Sequence, residues 1–323
     1  MSSKSLKEVD QELKQKAEEG KSLDAPLTKY EYVKNITSSS VAMIEKYFNR
    51  NKSEYVATKV FEDKEMDALR EIKILKEISN ERNEFCLYLI ESFCVKNKYY
   101  IVTPLHGLSI ADYLIKDVLD KTYIRVFSKQ LIQAVDFLHQ HNIVHTDVKP
   151  TNIVLSSLEN DLEKGIRLID LGNAEKEEEL KKENEERKLI TKDFRSQEIA
   201  LSLSLDRNVD IWSIGCVVYR MYKNKKIIKV KESRPNRMIN RRIVEQARSL
   251  CPNGSEDMIE KSSESFKAEL EEPKNSYQEK FEASFDLADD YEKLLSDLLK
   301  RMLQFDPHLR ISTEDALKHK FFL

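Results

Sequence analysis

Segments rich in aromatic and β-branched residues at 30–36, 41–48 and 55–61 predict three strands in succession. A helix is predicted next, over about 64–78, because Leu69, Ile72, Leu75 and Ile78 recur at a spacing that puts them on one face. Two further strands are predicted near 86–93 and 99–103. After Pro104-Leu105-His106-Gly107 the pattern turns helical from Ser109 onward, with a long amphipathic stretch over 123–141. Two short apolar anchors follow, Ile143-Val144 and Ile153 to Leu155, and a third at 166–169. The chain then reads as helical around Asp210 to Cys216 and again from 294 to 322. Ahead of all this, residues 1–27 are charged, with Leu6, Val9, Leu13 and Ala17 at helical spacing; an amphipathic helix laid on the body and a frayed tail are both open.

Between the first two anchors lies a concentration of polar groups, His145-Thr146-Asp147-Val148-Lys149-Pro150-Thr151-Asn152. A loop pinned at both ends by buried residues can hold side chains in fixed places. Asp147 can accept a proton, Lys149 brings a positive charge two residues on, and Asn152 offers an amide oxygen suited to a hard cation. The third anchor ends in Asp170-Leu171-Gly172, which adds a carboxylate at a strand end and a glycine to turn the chain. Singly, each of these residues has an ordinary surface reading; the grouping is what points to chemistry.

Together the stretches H-T-D-V-K-P-T-N and I-D-L-G resemble the catalytic and metal-binding loops of protein kinases. The resemblance covers about residues 28–323 and implies an α+β fold, the bilobal protein kinase fold. Its small lobe is a five-stranded antiparallel sheet with one main helix, and its larger lobe is mostly helical. The implied division is an extension over 1–27, the small lobe over 28–103 and the large lobe over 104–323, with a polar insert at about 223–290. Val56-Ala57-Thr58-Lys59 resembles the strand bearing the nucleotide lysine, and Glu71 its helix partner, across a link shorter than in most kinases. The resemblance implies ATP and Mg²⁺ as cofactors. Lys59, held by Glu71, takes the α- and β-phosphates; Ile36, Ile44, Ala57, Leu105 and Val154 sandwich the adenine; Asn152 and Asp170 hold the metal. Asp147, Lys149 and Thr191 are the implied catalytic set, with Thr191 bridging base and lysine as in serine/threonine kinases.

Two departures stand out. Ile36 to Ile44 occupies the place of the glycine-rich phosphate loop, yet no glycine occurs between Lys21 and His106; Thr37, Ser39 and Ala42 replace the glycines, and weakened ATP binding is the expected effect. Gln197 replaces the usual proline in Thr191-Lys192-Asp193-Phe194-Arg195-Ser196-Gln197-Glu198, where Glu198 is expected to pair with Arg310. Asp210 is expected to brace the catalytic loop backbone, and the mixed-charge run 175–189 is expected to be a solvated or mobile part of the activation segment.

Thr146 where most kinases have arginine, Asn173-Ala174 after the metal loop, and Arg195 after Phe194 resemble the CMGC group and within it the SR-protein kinases and LAMMER kinases. Leu105-His106-Gly107-Leu108-Ser109 supports the LAMMER side, but no E-H-L-A-M-M-E-R stretch occurs and the large insert of many SR-protein kinases is missing, so the subfamily stays open.

Composition narrows partners more than fold. A net charge of −3 gives no overall pull toward nucleic acid or membrane, and 34% charged residues make a well-solvated surface. The four cysteines have no metal or disulfide spacing and suit a reducing compartment. The expectation is an intracellular monomer, nuclear or cytoplasmic, that phosphorylates Ser or Thr in proteins, Arg/Ser-rich ones among them, with no direct nucleic-acid partner and no membrane. The basic clusters at 223–231 and 234–242 admit a nuclear address or a solvated surface. The alternative function is a catalytically weak nucleotide-binding pseudokinase scaffold, which the missing glycines and Gln197 favour.

Overall fold

The computed structural model describes residues 4–19, 27–180, 191–230, 235–251, 253, 255–270 and 276–323. The chain divides into two compact units, one formed by Met1–Leu108 with Val154–Ala174, the other by Ser109–Ile153 with Glu175–Leu323.

The first unit opens with helix α1 (Leu6–Glu19), followed by strands β1 (Tyr30–Ser38), β2 (Met43–Asn49) and β3 (Glu54–Phe61). Helix α2 (Glu65–Ile78) precedes strands β4 (Glu91–Val95) and β5 (Lys98–Pro104). All five strands form one antiparallel sheet in the order β1-β2-β3-β5-β4. Alternation along β3 decides its two faces: Val56, Thr58 and Val60 are buried, whereas Ala57 and Lys59 are half-buried on the other side. Val56 and Val60 join Tyr30, Phe93, Val95, Tyr100 and Val102 in the core, where Phe93 stacks on both Tyr30 and Tyr100. Residues 86–93 do not form the single strand that their apolar character predicts. Cys86 makes an isolated parallel bridge to Leu168, with Leu87 and Phe85 bonded to Leu168 through the backbone, and the ladder to β5 starts only at Glu91. One apolar run is thus shared between two partners.

The residues that follow β5 are stapled to the later part of this unit. Strands β7 (Ile153–Leu155) and β8 (Ile166–Leu168) pair, Gly107 N–H donates to the Leu155 carbonyl at 2.9 Å, and Leu155 N–H donates to that of Leu108 at 2.9 Å. Leu108 N–H also donates to the Asn160 side chain at 2.7 Å. A Cβ at position 107 would lie 2.1 Å from the Ser157 carbonyl oxygen, so only glycine fits there.

The second unit contains helices α3 (Ile110–Lys116) and α4 (Lys121–Gln140), strand β6 (Ile143–Val144), strand β9 (Glu175–Lys176) and the single turn α5 (Glu177–Leu180). Then come α6 (Gln197–Ala200), α7 (Asn208–Lys223), α8 (Asn236–Leu250), α9 (Ser255–Glu260), α10 (Glu264–Lys267), α11 (Ser276–Glu282), α12 (Asp290–Met302) and α13 (Thr313–Leu317). Helix α7 is the core helix: Trp212 and Ile214 are fully buried, and a Cβ at Gly215 would stand 2.8 Å from Leu303. Within the polar stretch, α8 has a buried face formed by Ile239, Ile243, Val244 and Ala247. The C-terminal stretch is broken between α12 and α13 by a turn at Pro307. Among the described residues, no helix is long and apolar enough to cross a membrane.

Candidate functional site

The first unit supplies a cation held by two carboxylates. The ladder aligns Lys59 of β3 opposite Ile44 of β2 and Ile101 of β5, and Ala57 opposite Thr103, so Ile44, Ala57 and Lys59 share a face. Helix α2 presents Glu71, 2% exposed, and Lys59 Nζ donates to its carboxylate at 2.7 Å despite the short intervening link. The same ammonium donates to Asp170 Oδ1 at 2.7 Å. Burial works against charge on Lys59, but the two carboxylates outweigh it and raise its pKa; burial in turn pushes the Glu71 carboxyl up. Gly172 is fixed by this cluster, because a Cβ there would lie 3.0 Å from Lys59 Nζ, 3.1 Å from Glu71 and 3.2 Å from Asp170. Asp170 itself sits at φ 64°. Of the other residues expected against a nucleotide, Ile36 is exposed on β1, Leu105 follows β5 and Val154 is buried in β7.

The loop in the position of the phosphate-binding glycines takes its shape from a side chain. Ser39 Oγ accepts from Val41 N–H at 3.2 Å and Ala42 N–H at 3.1 Å, and it donates to the Ala42 carbonyl at 3.0 Å. Ser39 N–H donates to the same carbonyl at 2.9 Å. None of Ile36 to Ile44 has positive φ, so Thr37, Ser39 and Ala42 stand in the glycine places without backbone strain.

The second unit supplies a proton acceptor beside a cation. Lys149 Nζ donates to Asp147 Oδ2 at 2.6 Å and to Thr191 Oγ1 at 2.9 Å, and the Thr191 hydroxyl donates to Asp147 Oδ1 at 2.8 Å. Both oxygens of Asp147, 4% exposed, are therefore oriented. Asn152 donates its amide to the Asp147 carbonyl at 3.0 Å, which fixes its rotamer and leaves its oxygen as the acceptor end. Below the loop, fully buried Asp210 accepts from His145 N–H and Thr146 N–H, each at 2.8 Å, with His139 Nε2 3.0 Å away. That clamp holds Thr146 at φ 64°, a region unfavourable for a β-branched residue.

The segment after Asp170 begins with β9 paired to β6. Glu177 N–H donates to the Asn142 carbonyl at 3.0 Å and its carboxylate accepts from Arg207 Nε at 2.9 Å. From residue 181 on, the mixed-charge run, including Arg187 and Lys188, lies outside the described residues. Where the segment ends, fully buried Gln197 donates from Nε2 to the carbonyls of Gln304, at 3.1 Å, and Phe305. Arg195, also fully buried, donates to Asn240 on α8 at 2.6 Å. Neither contact is visible in the local sequence, since both partners lie far along the chain.

For a divalent metal the fit rests on donor chemistry. Asp170 is a carboxylate whose side chain is 39% exposed while Lys59 holds one oxygen, and Asn152 is an amide pre-oriented by the loop. Each is a hard oxygen donor of the type that suits Mg²⁺. Among the described residues no cluster of three or more His, Cys, Asp or Glu could hold a metal by protein ligands alone.

A family model described as protein kinase domain matches residues 30–322. The dual specificity protein kinase lkh1 of Schizosaccharomyces pombe is 30% identical over 293 residues, which is 79% of this chain and 41% of that protein. The probable serine/threonine-protein kinase clkA of Dictyostelium discoideum is 25% identical, over 91% of this chain and 36% of its own. The human dual specificity protein kinase CLK4 is 26% identical, over 79% and 57% respectively. The chain thus spans less than two thirds of the length of each of these relatives.

Proposed function

This chain belongs to the protein kinase domain family, and from that premise we propose that it is a kinase of the CMGC type that transfers the γ-phosphoryl group of ATP to Ser or Thr of protein substrates. The observation that carries the reading is the triad of Asp147, Lys149 and Thr191, in which one acid and one cation are locked together by a hydroxyl. Asp147 orients the acceptor hydroxyl and takes its proton as the oxygen attacks the γ-phosphorus; the bond to the bridging oxygen of ADP breaks in line. Lys149 offsets the charge that builds on the transferring group. Lys59, fixed by Glu71, anchors the α- and β-phosphates, and Ile36, Ile44, Ala57, Leu105 and Val154 hold the adenine. Asn152 and Asp170 are the residues that would hold Mg²⁺, which would supply neutralisation of phosphate charge.

Thr191 favours a Ser or Thr acceptor, and the names of two relatives add tyrosine as a second acceptor to be tested. Arg/Ser-rich proteins are the substrate class that the branch resemblance favours. The test is transfer of radiolabelled phosphate from ATP-Mg²⁺ to peptides that are Arg/Ser-rich, proline-directed, acidic or tyrosine-bearing, with Asp147→Asn as control. The variant is expected to keep nucleotide binding and lose turnover by about two orders of magnitude or more. Equal rates would sink the assignment. Nucleotide binding without transfer to any peptide would leave the scaffold reading in its place.

A further inference from the structure

Helix α1 is built to persist and is fastened to the helix that carries Glu71. Its start is a capping box: Ser5 N–H donates to the Glu8 carboxylate at 2.6 Å, and Glu8 N–H donates to Ser5 Oγ at 3.3 Å. Its apolar face buries Val9 and Leu13, at 1% and 0% exposure, as completely as any core residue. Polar groups then tie it to two elements of the sheet unit. Tyr99 of β5 donates its hydroxyl to Asp10 at 2.7 Å, and burial together with this bond raises the Tyr99 pKa. Lys76, in the last turn of α2, pairs with Glu12 at 3.2 Å, and Glu65, in the first turn of α2, pairs with Lys14 at 3.5 Å. Lys14 is in turn bonded to Asp10 at 2.8 Å.

Two residues one position apart on either side of Leu13 thus reach the opposite ends of α2, while the neighbouring turn is bonded to β5. A helix held at both ends and referenced to the sheet has little freedom to rotate or withdraw. Glu71 lies between those ends, and its carboxylate must stay within hydrogen-bond reach of Lys59 on β3. From this geometry we infer that α1 is a built-in bracket for α2, with Asp10, Glu12, Leu13 and Lys14 acting as positioning residues that set the Lys59–Glu71 pair. The inference rests on the kinase reading for its effect on rate, but its structural content does not need that reading.

The test uses the full chain and a charge exchange. In a Lys4→Ala background, which removes the 3.0 Å pair of Lys4 with Glu12, Glu12→Lys places a second cation against Lys76, Lys76→Glu places a second carboxylate against Glu12, and the double variant restores opposite charges in swapped order. Each single variant is expected to lower kcat/KM for ATP about fivefold or more, to weaken Mg²⁺-ADP binding alongside it, and to speed amide hydrogen exchange in residues 65–78 while α7 exchanges as before. The double variant is expected to recover all three. Tyr99→Phe, which removes only the bond to Asp10, is expected to give a smaller change in the same direction and covers the case in which a reversed charge fails to fold. Unchanged exchange in α2, or a loss that the swap does not recover, overturns the bracket. Should no substrate be phosphorylated by the unaltered chain, the kinase reading fails instead, and ADP binding with α2 exchange still decides the bracket.

Discussion

Arg310 meets Glu198 through two parallel hydrogen bonds, at 2.7 and 2.8 Å, with both side chains removed from solvent. Arg310 also donates to the carbonyls of Gln304, at 3.0 Å, and Asn208, at 2.8 Å, so its charge is fully used. Removing one partner strands the other. Arg310→Met is expected to destabilise the fold by about 3–5 kcal/mol, whereas Arg310→Met with Glu198→Leu recovers much of that loss. Urea unfolding of the two variants checks this; equal destabilisation in both would mean that the carbonyl contacts, not the ion pair, set the stability.

The glycine-free loop depends on one hydroxyl. Ser39→Ala removes the acceptor for two backbone N–H groups and is expected to raise the KM for ATP several-fold with a smaller change in kcat, because a loosened turn weakens phosphate contacts before and during transfer. Thr37→Ala leaves those bonds in place and is expected to change little. Steady-state kinetics over a range of ATP concentrations separates the two.

His106 gives the first unit a pH dependence. Burial, with a further contribution from the Arg167 cation, pushes its pKa from 6.5 down to about 4. The folded chain therefore keeps the ring neutral where the unfolded chain protonates it, so stability is full above about pH 6.5 and declines as pH falls toward 4. His106→Phe is expected to remove on the order of 2 kcal/mol of that decline. Thermal unfolding of both proteins between these pH limits measures it; parallel curves would assign the acid sensitivity to other groups.

Activity is expected without phosphorylation of the activation segment. Thr146 carries no charge that awaits a phosphate, and the start of the segment is already pinned by the Glu177–Arg207 pair and by β6–β9 pairing. Bacterially expressed chain, treated with phosphatase and confirmed unmodified by mass, should retain a rate within a few-fold of the untreated protein. A loss that returns after preincubation with ATP would reveal a controlling phosphosite. At Thr191 a negative charge would crowd Asp147, so Thr191→Glu is expected to lower the rate by about two orders of magnitude.

What could be read from sequence was whatever is local. Asp147, Lys149 and Asn152 share one stretch of eight polar-rich residues, and Lys59 and Glu71 announce themselves by their apolar neighbours. Glu198 with Arg310 and Asp210 with the catalytic loop were also foreseeable, since the family resemblance pairs them. Long-range capture was not. Nothing near Gln197 reveals that it replaces a proline by binding two carbonyls more than 100 residues away. The strand at 86–93 failed because apolar character does not say which of two partners a backbone will choose. Helix α8 was findable: Ile239, Ile243, Ala247 and Leu250 keep helical spacing inside a stretch whose charge draws attention first. So was α1, whose Val9 and Leu13 carry the face that an amphipathic reading required.

The Ser39 turn also acts where no structure exists. Three positions that are glycine in the family are Thr37, Ser39 and Ala42 here, and none needs positive φ. Each such replacement narrows the unfolded ensemble without straining the folded chain, which favours folding by roughly 0.4–1 kcal/mol per site. The turn is thereby expected to add to fold stability, and restoring glycine at these positions is expected to show first as a lower melting temperature.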